Sequence, residues 1–170
     1  SCTKIVPSEY LSMHKNNIVI HASDLPLGKG FTPLKWSVLE GNDKIILTLF
    51  EANEKVDSGK YYFKDWIKFE GHELLDEMHN LLGEKICEMA VNYIVNYDNM
   101  IGIEQVGEES FYRKRTVFDD EIDINLPIIQ QFNHLRIADN ERYPLWFTLN
   151  GYKYYIRWLW QLSWQDDVSP

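Results

Sequence analysis

The run KIILTLF, Lys44 to Phe50, constrains this chain more than any other stretch. Its large apolar residues do not alternate with polar ones, so it describes a strand covered on both faces rather than one with a solvent side. Just upstream, Asn17 to Ile20 reads as a shorter buried strand that carries His21 at its tip. Between the two, Thr32-Pro33 opens a helix that Gly41 closes. The hydroxyl is expected to cap, the proline occupies the first turn where its missing N–H costs nothing, and the glycine supplies the stop. Strand, helix, strand in this order predicts a right-handed crossover and a parallel pair, hence an α/β domain.

The elements that follow extend this unit. EANEKVDSGK is a polar loop with a Ser-Gly turn signal, and YYFKDWIKF reads as a further strand. From Gly71 to about Tyr97 the spacing predicts one long amphipathic helix, with Leu74, Leu75, Met78, Leu81, Leu82, Ile86, Met89, Tyr93 and Ile94 on its core stripe. The composition shifts near Asp98 to a charged, glycine-punctuated segment. The expected organisation is therefore a first unit over 1–97, a linker over 98–124 and a small α+β unit over 125–170. In that last unit Asn125 is expected to cap a helix reaching about Asp139, with Ile128, Ile129, Phe132 and Leu135 inward. Asn150-Gly151 between two strand-like runs is a strong hairpin signal.

Composition narrows the function classes. Cys2 and Cys87 make no disulfide framework and have no metal-ligand spacing, which fits a reducing, cytoplasmic setting. No apolar run has membrane-spanning length. The formal net charge is −9, a poor match to an extended phosphate backbone. The one compact basic group, Arg113, Lys114 and Arg115, reads as a solvated turn that a single phosphate could still use. His72, Asp76 and His79 have helical spacing but fall on the face opposite the core stripe, so no metal site is expected. LGKG lacks the Ser or Thr that should follow the lysine of a phosphate loop.

What remains is His21 at one strand tip and Asp57 in the loop after the next strand. On parallel neighbouring strands both would reach the same sheet edge, where α/β folds bind ligands, and a carboxylate there can orient the imidazole for proton transfer. A strand-end histidine that satisfies a loop carbonyl, and an aspartate that serves a turn, are the alternatives the residues leave open.

The pattern of His21, Ser23, Leu25, Pro26, Gly30 and Pro33, followed by Val56, Asp57, Ser58 and Gly59, resembles the folate-dependent formyltransferases. That family includes methionyl-tRNA formyltransferase, glycinamide ribonucleotide transformylase and the sugar N-formyltransferases. The similarity runs over about Ser1 to Tyr97 and continues more weakly through GEESFYRKR. It implies a fold class: the second half of a Rossmann-like formyltransferase domain with parallel strands, followed by the small hairpin-bearing unit. The chain opens without a methionine and reads as mid-domain sequence, so a fragment is expected. The resemblance further implies His21 and Asp57 as catalytic residues, and 10-formyltetrahydrofolate as the donor. Leu25, Pro26, Gly30 and Val56 would lie at the donor's site. The expected acceptor is the amine of a nucleotide-linked amino sugar; methionyl-tRNA and a binding remnant without chemistry are the alternatives, and a homodimer is compatible with all three.

One position departs from the family pattern. The family carries a catalytic Asn two residues before the histidine, where this chain has Val19. Asn17 is no simple substitute, because the four residues from 17 to 21 span about 13 Å of strand. A replacement donor is expected from a backbone N–H in the turn after His21, from a group outside this chain, or from His21 itself.

Overall fold

The computed structural model describes residues 5–159; Cys2 and the last eleven residues of the C-terminal unit lie outside them. The chain runs through α1 (Ser8–Leu11), β1 (Ile18–His21), β2 (Lys29–Gly30), α2 (Pro33–Leu39), β3 (Lys44–Glu51), β4 (Tyr61–Lys68) and α3 (Leu75–Val95). It continues through β5 (Phe111–Tyr112), α4 (Phe132–Arg136), β6 (Leu145–Leu149) and β7 (Tyr152–Ile156). The main sheet has the order β1-β3-β4, so β3 lies in the middle. Its burial follows from that place. Ile45, Leu47 and Leu49 are buried on one face and Thr48 and Phe50 on the other, as the unbroken apolar run predicts.

The core gathers Leu34 and Val38 from α2, the β3 residues, Ile67 and Phe69, and Met78, Met89 and Tyr93 from α3. Leu82 and Ile86 pack partly against it. Leu81 and Ile94 do not join the stripe, being 38% and 69% exposed. At about 100° of rotation per residue, both positions fall roughly a quarter turn or more from the centre of the buried line. The helix also starts later than the pattern suggests. Residues before Leu75 are extended, and Glu77 reaches back to accept from the Leu74 N–H at 3.0 Å.

The β1–β3 pair is antiparallel, not parallel: Ile18 faces Glu51 and His21 faces Thr48. The connection over 22–43 therefore begins and ends at the His21 end of the sheet. Its first half is fastened elsewhere, through β2 pairing in parallel with β5, and seven-residue α2, about 10 Å long, closes the return. Thr32 does not cap α2 with its hydroxyl. It takes a left-handed conformation, φ 47°, as the chain leaves the Phe31 N–H bond to the Tyr112 carbonyl and turns into the helix. Gly41, φ 86°, ends the helix with paired bonds from Gly41 N–H to Val38 and from Asn42 N–H to Ser37.

The C-terminal unit holds a smaller core of Leu135, Ala138 and Leu145, with Ile122, Phe132, Ile156 and Trp158 around it. β6 and β7 form the expected hairpin, and Asn150 (φ 52°) with Gly151 (φ 81°) makes its two-residue turn. The helix here is shorter than expected. Asn125 spends its side chain on Asp123, Pro127 follows, and residues 128–131 form a 3₁₀ turn before α4. Ile128 and Ile129 are consequently exposed. No helix among the described residues is long and apolar enough to cross a membrane.

Candidate active site

His21 ends β1, and its side chain is only 10% exposed. Its Nε2 lies 2.9 Å from the Gly28 carbonyl, which can only accept, so Nε2 carries a proton and donates it there. The Asp57 carboxylate is 3.7 Å from the same nitrogen, beyond hydrogen-bond length. Asp57 Oδ2 instead accepts the Gly30 N–H at 2.8 Å. Both members of the pair are thus anchored to the backbone of the turn after His21: His21 to Gly28, Asp57 to Gly30.

The two residues meet by a route the sequence did not suggest. Because β3 runs opposite to β1, it ends beside Asn17 and Ile18, at the far end of β1 from His21. The loop over 52–60 must then curl back by about 10 Å, three residues of strand rise, to bring Asp57 to the imidazole. Two features make the return possible. Asp57 takes a left-handed conformation, φ 46°, and Gly59 passes so close to the Glu51 carbonyl that a Cβ would sit 1.6 Å from its oxygen.

The turn after His21 is equally pinned. Thr48, buried on β3, donates to the Ser23 carbonyl at 2.7 Å and accepts from the Leu25 N–H at 3.3 Å. Lys64 from β4 donates to the Leu25 carbonyl at 2.6 Å. Gly28 (φ 67°) lies against the Tyr112 ring, where a Cβ would come within 2.8 Å. The backbone donors of this turn are all engaged: the N–H groups of Leu25, Leu27, Gly28, Lys29, Gly30 and Phe31 each have a partner, and Pro26 has none to give. Residues 25–31 therefore have no uncommitted backbone N–H to offer as an oxyanion donor; nearer His21, the Ser23 hydroxyl is buried without a hydrogen-bond partner among the described residues.

The other singled-out positions divide. Gly30 touches Asp57 directly. Val56, in the returning loop, is 41% exposed, and Pro26 is half-buried. Leu25 is fully buried, so it supports the turn from behind and presents no side chain to a ligand. Val19 is 38% exposed, so it is not enclosed in a packed apolar site. Asn17 is far from the pair, and its amide donates to the Leu11 carbonyl at 2.9 Å.

Residues from the segment read as a linker also reach the site. Gln105 Nε2 donates to the Asp57 and Gly59 carbonyls at 3.0 and 2.7 Å. Ser110 accepts the Gly28 N–H on its hydroxyl at 2.8 Å and the Lys29 N–H on its carbonyl at 2.9 Å. Lys29, whose side chain is 1% exposed, bridges Ser58 Oγ at 2.9 Å and Glu109 at 2.6 Å. Polar GEESFYRKR carried the only sequence hint of this. Farther along, Arg113 forks onto Asp119, and Arg115 pairs with Asp120 at 2.9 Å, so acidic neighbours neutralise both arginines of the basic run. The guanidinium of Arg113 holds the Asp119 carboxyl well below the usual range, against the opposing effect of its partial burial.

The model of the family described as Formyl transferase matches residues 1–94. A methionyl-tRNA formyltransferase from Ehrlichia canis is 29% identical over 122 residues, covering 71% of this chain and 40% of that protein. The chain thus spans well under half of that relative's length. Among solved structures, a sugar N-formyltransferase from a Shewanella species aligns with a TM-score of 0.73 at 16% identity, covering 95% of this chain and 68% of the other. HypX from Aquifex aeolicus, in complex with tetrahydrofolic acid, aligns with a TM-score of 0.75 at 15% identity, covering 89% and 27%. At such identities the two structures establish a shared fold, the α/β formyltransferase domain. With the family match over more than half of its residues, the chain belongs to the formyl transferase family.

Proposed function

We propose that the protein transfers a formyl group from 10-formyltetrahydrofolate to a primary amine, with His21 and Asp57 handling the protons. The observation that carries this reading is the pair itself. A histidine and a carboxylate 3.7 Å apart come from separate elements, and each is held by a backbone group rather than by the other. In that arrangement the two are not consumed in a mutual hydrogen bond: Asp57 keeps its second carboxylate oxygen, and His21 exchanges a proton once its Nε2–H leaves the Gly28 carbonyl.

The residues around the pair fit a folate donor. Val56 offers exposed apolar surface beside Asp57, and Gln105 Oε1 is buried with no hydrogen-bond partner. A pteridine has flat apolar faces and an N–H-bearing rim, which suits both features. The bound donor supplies a formyl carbon open to attack. His21 Nε2–H, now on the Gly28 carbonyl, turns to the formyl oxygen as that oxygen gains charge. Asp57, 3.7 Å from that nitrogen, accepts the proton shed by the attacking amine; as the tetrahedral intermediate collapses, the bond from the formyl carbon to the folate nitrogen breaks and that nitrogen takes the proton, so tetrahydrofolate leaves. The buried surroundings of His21 keep water away from these exchanges.

For the acceptor, the charge balance favours a small amine on a nucleotide-linked amino sugar. Excess cations suit a polyanion, whereas here the net charge is −9 and Arg113 and Arg115 are already neutralised by Asp119 and Asp120. The second reading, methionyl-tRNA as acceptor, draws on the name of the Ehrlichia relative. A cytoplasmic setting belongs to both readings. Single-turnover assays of the full-length protein with 10-formyltetrahydrofolate, and either a nucleotide-linked amino sugar or initiator methionyl-tRNA, separate them. Formylation of the sugar amine, with little tRNA retardation at low salt, is expected. Tight, steeply salt-dependent tRNA binding would replace the first acceptor with the second.

A further inference from the structure

We propose that Gln105 is a positioning residue for the Asp57 carboxylate, and that the segment 103–112 is the strap through which it acts. The inference deepens the reading of His21 and Asp57 as the proton-handling pair and rests on it for its catalytic consequence, though not for its structural one.

Asp57 needs to be held. A non-glycine residue at positive φ is uncommon, and here it sits in a loop that must return against the direction of its own strand. The carboxylate's only hydrogen bond among the described residues, to the Gly30 N–H, is made by the side chain and does not fix the backbone that presents it. Gln105 does. Its single amide nitrogen spends one N–H on the Asp57 carbonyl and the other on the Gly59 carbonyl, closing the turn Asp57-Ser58-Gly59 across its mouth. Nε2 has no third proton, so this is its full donor capacity.

Gln105 is itself anchored. Two residues earlier, Ile103 exchanges both backbone hydrogen bonds with Tyr61, at 2.7 and 2.9 Å, where β4 begins. A few residues later the strap takes hold of the other half of the site. Glu109 meets the buried Lys29 ammonium, which also holds Ser58, and Ser110 receives the N–H groups of Gly28 and Lys29. The strap thus grips the turn that bears Asp57 and the turn whose Gly28 carbonyl receives His21. The distance between imidazole and carboxylate is set by a third segment rather than by either strand.

The chemistry of the clamp is specific. Methionine matches the length of glutamine and cannot donate; asparagine keeps both N–H groups but is one methylene short. The test uses the full-length protein carrying Gln105→Met or Gln105→Asn, with two readouts. Amide hydrogen exchange compares the Gly30 N–H, bonded to Asp57, with the nearby Phe31 N–H, bonded to Tyr112. Single-turnover and steady-state kinetics with 10-formyltetrahydrofolate supply the second readout. We expect Gln105→Met to lose protection at Gly30 while Phe31 stays protected. The chemical step should slow by about 10²-fold, the scale of an ångström-sized misplacement. Gln105→Asn should fall between methionine and wild type on both readouts. Wild-type protection at Gly30 in Gln105→Met would overturn the proposal, and so would equal loss at Gly30 and Phe31, which marks a general folding role. If Gly30 alone loses protection while Asp57→Asn turns over normally, positioning stands and the catalytic reading falls. If Asp57→Asn is inactive while Gln105→Met is normal on both readouts, the catalytic reading stands and positioning falls.

Discussion

Two of the buried pairs of opposite potential charge, Glu73–Arg136 and His21–Asp57, are built on different plans. Glu73 and Arg136, with side chains 8% and 6% exposed, are saturated. Arg136 Nη2 meets the Glu73 carboxylate at 3.1 Å, Nε donates to the Glu73 carbonyl at 2.9 Å, and Nη1 reaches Asn133 at 3.2 Å. The carboxylate also takes the N–H groups of Glu70 and Gly71. Burial would push the Glu73 carboxyl up, but those N–H groups and nearby His72 outweigh it and leave the group below its ordinary value. Burial likewise lowers Arg136. The His21–Asp57 pair is instead held apart, each member tied to backbone. A saturated pair joins α4 to the approach to α3 and can do nothing else. A separated pair gives the fold little and keeps its capacity for proton exchange.

Substitutions that break one plan should leave the other intact. The largest effect on stability is expected from Arg136→Met, which strands a buried carboxylate. Loss of one partner from such a pair costs about 3–5 kcal/mol, to be read from urea unfolding, while activity per folded molecule stays at wild type. An equally stable variant would mean that the pair is not the staple described. Gly59→Ala comes next, because its Cβ would collide with the Glu51 carbonyl. Overpacking of about 1–3 kcal/mol is expected. Since the collision displaces the Asp57 loop, turnover should fall as well, which sets this variant apart from Arg136→Met.

A smaller, pH-dependent effect is expected at Asp119. Its depressed pKa means that its ion pair stabilises the fold above the unfolded value of about 3.9, and that this contribution is lost as pH falls towards the folded value. The stability difference between wild type and Asp119→Asn should therefore be full at neutral pH and shrink below about pH 4. It should also weaken with added salt, because Arg113 is 60% exposed. A difference that grows on acidification would contradict the assignment. The smallest effect belongs to Val19→Asn. The residue is 38% exposed, so the new amide stays hydrated and stability should change by no more than about 0.5 kcal/mol. Turnover should rise only if the amide finds the reacting oxygen; a loss of several kcal/mol of stability would show that Val19 is packed after all.

Much of the fold was legible from local patterns. The covered central strand followed from KIILTLF, the long helix from its apolar stripe, and the hairpin turn from Asn150-Gly151. Strand direction was not legible. Strand-helix-strand implies a parallel pair only when the helix carries the chain back along the strand, and here the turn after His21 is fastened to Ser110 and Tyr112 instead. The candidate site shows the same division. His21 and Asp57 stood out by residue type and by resemblance, but their meeting depends on a loop that curls back and on Gln105, a polar residue in a polar segment with nothing in its local sequence to mark it. Long-range hydrogen bonds between irregular segments leave no periodicity behind, and these loops are built from them.

The central claim is that the separated pair serves chemistry and not the fold. The most direct measurement sets single-turnover formyl transfer beside urea unfolding for the full-length protein and its Asp57→Asn and His21→Ala variants. Each variant should lose about 10²–10⁴-fold in rate, with an unfolding midpoint close to that of wild type. Folded variants that transfer formyl at the wild-type rate would contradict the account.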